Sequence, residues 1–93
     1  FESAGAHFNP DNKSHGLKNP KGPHAGDMNS FMVKPDGTAN QSVTDTRVNL
    51  GTNAHSLFTG GGTSLIIHEK ADDQKTDPSG NSGARIACGV ITP

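Results

Sequence analysis

His7, His15, His24 and Asp27 fall at separations of 8, 9 and 3 near the start of the chain. They lie in a Gly/Asn/Pro-rich stretch without hydrophobic periodicity, so the sequence offers no helix or strand to hold them together. Three imidazoles and one carboxylate make a complete ligand set for a tetrahedral zinc ion. A loop with no secondary structure of its own needs an organiser, and a metal can be that organiser. Taken singly, any one of these histidines reads most simply as a solvent-exposed loop residue.

Other residues invite chemistry and withstand less scrutiny. The run His68-Glu69-Lys70-Ala71-Asp72 begins like a zinc-protease motif, but the position that needs a second histidine holds Asp72. Gly60-Gly61-Gly62 could cradle a phosphate, yet no Lys-Ser/Thr follows, and a flexible connection is the better reading. Cys88, the only cysteine, sits between apolar neighbours and by itself reads as a small core residue. His55 reads as a loop residue. Asn12-Lys13-Ser14 and Asn40-Gln41-Ser42 match the glycosylation acceptor pattern, which is too short to carry weight.

The elements available to position these groups are few. Residues 1–27 read as one long loop, punctuated by Pro10, Pro20 and Pro23. A segment of that length without structure is uncommon unless it is functional. Met28–Lys34 and Ala39–Leu50 are expected to pair as a hairpin around the turn signal Pro35-Asp36-Gly37. Gly51–Thr63 is a second loop. Short strands are expected at Ser64–His68 and Ala84–Ile91, with a polar loop over residues 69–83 between them. The chain reads as all-β with two long loops.

Composition narrows the field further. Ninety-three residues make one small domain, 1–93. Eight Lys+Arg against nine Asp+Glu give no electrostatic case for nucleic acid or a membrane surface. No membrane-spanning segment is expected, because no apolar run approaches the roughly 20 residues that a membrane helix needs. Leu, Ile, Val and Phe together number 16 of 93. That is below the roughly 20% at which a packed core becomes hard to assemble. A chain so poor in apolar residues needs a metal, a disulfide or a partner to hold a unique fold.

Longer strings add a family resemblance. Ser3-Ala4-Gly5-Ala6-His7-Phe8-Asn9-Pro10, Ser14-His15-Gly16 and His24-Ala25-Gly26-Asp27 resemble the zinc loop of copper-zinc superoxide dismutases. Leu65 to Asp73 is similar to the strand and turn that supply a copper ligand in that family, and Gly80 to Ile91 to its C-terminal strand. The resemblance implies an antiparallel Greek-key β-barrel, of which this chain would supply about the last four strands, the zinc loop (1–27) and an active-site loop (69–83). It implies zinc on His7, His15, His24 and Asp27, and copper on His7 and His68, with His7 shared between the metals. Asp72 would accept a hydrogen bond from His15 and couple the two sites. Arg85 would stand beside copper and draw in the anionic substrate superoxide, with its fixed fork of donors and permanent charge. Lys75 would add to the guiding field.

The plain alternatives are a solvated turn acid for Asp72 and a strand-end surface residue for Arg85. Two further copper histidines, in a His-x-His strand, are expected outside residues 1–93. A disulfide partner for Cys88 is expected upstream of Phe1, as is any signal peptide.

Three readings follow. The first is a superoxide dismutase whose activity requires a missing N-terminal half of the same protein. The second is a catalytically inactive dismutase-like zinc protein with a structural or metal-handling role. The third, an unrelated zinc-stabilised β module, fits Asp72 and Arg85 poorly. The resemblance allows a homodimer and looks more bacterial than animal. A disulfide and a metal-loaded fold point to a secreted, periplasmic or cell-surface location.

Overall fold

Leu65-Ile66-Ile67 and Ile86 to Ile91 are the two runs rich in β-branched residues, and they form the sheet. In the computed structural model, which describes residues 1–93, strand β1 spans Thr63–His68 and β2 spans Arg85–Ile91. They pair antiparallel, with Thr63 opposite Ile91 and Ile66 opposite Cys88. The register shifts between Ile67 and His68, where Ala87 and Arg85 are the successive partners and Ile86 is skipped. Such a bulge re-aims side chains at the end of a ladder. It sets His68 and Arg85 side by side at the end of the sheet. The only helical elements are two 3-10 turns, Glu2–Ala4 and Thr59–Gly61. No helix is long and apolar enough to cross a membrane.

The expected hairpin over residues 28–50 is a correction. Its turn forms: the Lys34 N–H donates to the Thr38 carbonyl at 2.8 Å, and Asp36 accepts from the Thr38 N–H and hydroxyl. The ladder does not form. The turn signal is local, whereas strand pairing needs a neighbour along the whole run and an apolar face to bury. Phe31, Met32, Val33 and Val43 all stand exposed. One isolated bridge, Asn49 to Ser56, is the only strand-like pairing outside β1 and β2.

Burial is inverted relative to an ordinary domain. Nine residues are buried, and Ala25 is the only hydrophobic one. His15, His24 and Asp27 are among the rest. Leu65, Ile86 and Val90 of the sheet are exposed. The best-packed region of the molecule is therefore polar, and it lies where the loop of residues 1–27 meets the loop of residues 69–83.

Candidate metal centre

The amino-terminal loop is folded by its own backbone. The Ser14 N–H donates to the Lys21 carbonyl and the Gly26 N–H to the Phe8 carbonyl, both at 3.0 Å. These two closures bring His7, His15, His24 and Asp27 to one point, with a ligand atom of each within 4.8 Å of all the others. Asp27 Oδ1 lies 3.1 Å from His15 Nδ1 and 3.2 Å from both His7 Nδ1 and His24 Nδ1. His7 Nδ1 and His24 Nδ1 are 3.2 Å apart.

Those distances have a chemical meaning. Two ligand atoms about 2.0–2.1 Å from a tetrahedral zinc are separated by about 3.3 Å, close to every edge just given. Hydrogen bonding accounts for the same geometry poorly. One carboxylate oxygen would have to take three imidazole N–H groups, and two facing Nδ1 atoms can share only one proton. A cation at the centre satisfies all four atoms together. The residues present therefore fit zinc.

The surroundings complete the set. Asp27 Oδ2 accepts the backbone N–H groups of Gly16 and His24, both at 2.9 Å, which aims Oδ1 at the histidines. Burial pushes the Asp27 carboxyl up. The His7 hydrogen bond and the Gly16 and His24 N–H groups outweigh it and hold the group well below the usual carboxylate range. Asp27 is thus a carboxylate, the form a metal requires. His15 Nε2 donates to both oxygens of Asp72, at 2.7 and 2.8 Å. That bond fixes the proton on Nε2 and leaves the Nδ1 lone pair facing the centre.

His68 and Arg85 stand across an open cleft of about 820 Å³ that His7 and His24 also line. The ring centroids of His7 and His68 are 6.3 Å apart. His68 Nδ1 donates to the Gly83 carbonyl at 3.1 Å, which leaves Nε2 as its free ligand atom. Arg85 donates to the carbonyls of Phe1 and Gly5 and so ties the amino-terminal turn to the start of β2. Cys88 is free and exposed in β2, not the small core residue its neighbours suggest, and residues 1–93 hold no second cysteine to bridge it. His55 is paired with Asp11 at 2.8 Å, away from the cluster.

Sequence reasoning missed three residues that build this centre. Asp77 Oδ1 accepts the backbone N–H of His15 at 2.7 Å. Arg47 donates to the Asp27 carbonyl and pairs with Asp45 at 3.1 Å, tying the 28–50 segment to the ligand loop. Gln74 is buried between the two long loops. These partners lie 20 to 62 residues away along the chain, and no local pattern signals them.

Comparison with known proteins places the chain among relatives. The family profile of copper/zinc superoxide dismutase (SODC) matches residues 1–91. Cu-Zn superoxide dismutase 2 of Aquifex aeolicus is 52% identical over 92 residues, covering 98% of this chain and 54% of that protein. The superoxide dismutase-like protein YojM of Bacillus subtilis is 50% identical over 93 residues, covering 98% of this chain and 47% of that one. The crystal structure of a SOD-like protein from Bacillus subtilis superposes with a TM-score of 0.89 and 46% identity, over 97% of this chain and 60% of that one. The chain spans about half the length of the curated relatives it matches.

Proposed function

Because the chain belongs to the copper/zinc superoxide dismutase family, we propose that it carries the zinc centre and one side of the copper centre of a superoxide dismutase. Its two strands and long loops are part of the family's antiparallel Greek-key barrel. Copper and zinc are the metals of that family, and the His/Asp cluster is suited to hold one of them. The observation that carries the proposal is the convergence of His7, His15, His24 and Asp27, with His68 and Arg85 across the cleft that His7 borders.

In this reading His7, His15, His24 and Asp27 hold zinc, and His7 and His68 hold copper. Copper, when bound, supplies the one-electron change that turns one superoxide into oxygen and another, with protons, into hydrogen peroxide. The chain's own residues do the rest. Arg85 is anchored by the carbonyls of Phe1 and Gly5, so its charge stays in the cleft lining, where it would orient an incoming anion. His7 Nδ1 is committed to the cluster, and Nε2 is the atom at which His7 would take up and release a proton. Asp72 keeps the His15 tautomer and links that centre to the 69–83 loop.

The remaining copper ligands, a disulfide partner for Cys88 and a location outside the cytoplasm belong to the same proposal; a homodimer is compatible with it. The test is superoxide decay in the full protein loaded with both metals. Activity that His68→Ala abolishes while zinc stays bound supports the proposal; full activity in that variant would sink it.

A second reading, an inactive dismutase-like zinc protein, is favoured by the 50% identity to a protein described only as dismutase-like. It expects metal-loaded full protein to dismutate superoxide no faster than free copper.

A further inference from the structure

Gln74 is a large polar residue, 7% exposed, held at φ 62 in the loop of residues 69–83. A left-handed backbone is unusual for a side chain of this size, and in a buried position it calls for compensation. Every polar group of the residue is used. The side-chain oxygen accepts the Leu17 N–H at 3.1 Å, and the side-chain amide donates to the Met28 carbonyl at 3.2 Å. The backbone carbonyl accepts the Lys18 N–H at 3.1 Å, and the backbone N–H donates to Asp72 Oδ1 at 2.6 Å.

The two side-chain partners are not arbitrary. Leu17 follows His15 by two residues, and Met28 directly follows Asp27. One amide thus grips the ligand loop just past its second ligand and just past its last. The same residue's backbone braces the carboxylate that orients His15. Gly16 shows how close the fit is: with φ +114, a Cβ there would lie 1.9 Å from the Gln74 carbonyl oxygen.

We propose that Gln74 is a positioning residue for the metal centre, a clasp that fixes both arms of the ligand loop and pre-organises the four donors for zinc. The inference rests on reading the cluster as a zinc centre. Partners of this kind typically contribute 10- to 100-fold in metal affinity, because they hold ligands in the bound geometry before the metal arrives.

Two substitutions separate clasping from simple structural support. Gln74→Met keeps length and bulk but removes both side-chain bonds. Gln74→Gly removes the same bonds but relaxes the left-handed backbone. Zinc affinity is measured in the full protein by competition with a chromophoric chelator, and cobalt(II) absorption reports tetrahedral coordination. Both variants are expected to bind zinc about 10- to 100-fold more weakly and to lose tetrahedral cobalt intensity, although only Gln74→Gly relieves the backbone. Unchanged affinity in both, with normal uptake by the unaltered protein, overturns the clasp alone. Affinity that merely follows thermal stability, intact in Gln74→Gly and reduced in Gln74→Met, also overturns it. Failure of the unaltered protein to take up one zinc overturns the metal-centre reading, and the clasp with it.

Discussion

At the scale of single residues, the centre depends on which nitrogen of each histidine carries a proton. His15 is settled by Asp72, and His68 by the Gly83 carbonyl. Asp72→Asn removes the charge that both oxygens share with His15 Nε2–H. Zinc affinity in this variant is expected to fall about 10- to 100-fold, measured by chelator competition. Asp77 acts differently, since its carboxylate caps the buried His15 N–H. Asp77→Ala leaves that donor unpaired and is expected to destabilise the loaded protein by about 1–3 kcal/mol, read from denaturant midpoints. His7, His15, His24 and Asp27 were legible in the sequence because metal ligands must be particular residue types. Asp77 and Arg47 were not, because a backbone N–H or carbonyl can be satisfied by many side chains.

At the scale of elements, the loop of residues 69–83 is a scaffold made of hydrogen-bonded turns. Asp73 is its hub: the Thr76 N–H, the Thr76 hydroxyl and the Lys75 N–H hold its carboxyl down to about 2. A carboxyl depressed in the folded state stabilises it above the ordinary value of 3.8, and the contribution is lost as pH falls toward about 2. The protection of the Lys75 and Thr76 amides, relative to their intrinsic exchange at each pH, is therefore expected to fall across that window and to hold above it. Unchanged protection at pH 2 would contradict the assignment. Gly80 is the second constraint, since at φ +68 a Cβ would lie 1.8 Å from Asp72 Oδ1. Gly80→Ala is expected to displace that carboxylate and weaken zinc binding as Asp72→Asn does. β1 and β2 were legible from their β-branched runs to within one residue. The hairpin over residues 28–50 was misread because a good turn says nothing about whether its arms find partners.

At the scale of the whole molecule, a radius of gyration of 13.2 Å is close to the roughly 12 Å expected for a compact chain of this length. That compactness is achieved with one buried hydrophobic residue. Three of the four candidate metal ligands are among the buried residues, so a bound metal would contribute much of the order. Zinc at 100 times its dissociation constant would add about 2.7 kcal/mol to the folded state. Removing it with a chelator is expected to abolish amide protection across residues 1–27 while β1 and β2 keep theirs longer. Uniform protection with and without metal would refute this. Leu65, Ile86 and Val90 are exposed with the loops in place, which makes the sheet prone to association.

The sequence by itself determined the ligand types, the two strands, the thin core and the family. These follow from residue chemistry and local periodicity, which need no knowledge of distant contacts. Only the tertiary structure decided that four donors converge at zinc-like separations, that Asp77, Arg47 and Gln74 brace them, and that the arms of residues 28–50 go unpaired. Each of those outcomes is a contact between residues far apart in the chain. Such contacts are set by how two irregular loops satisfy each other's backbone hydrogen bonds, and no spacing rule records that.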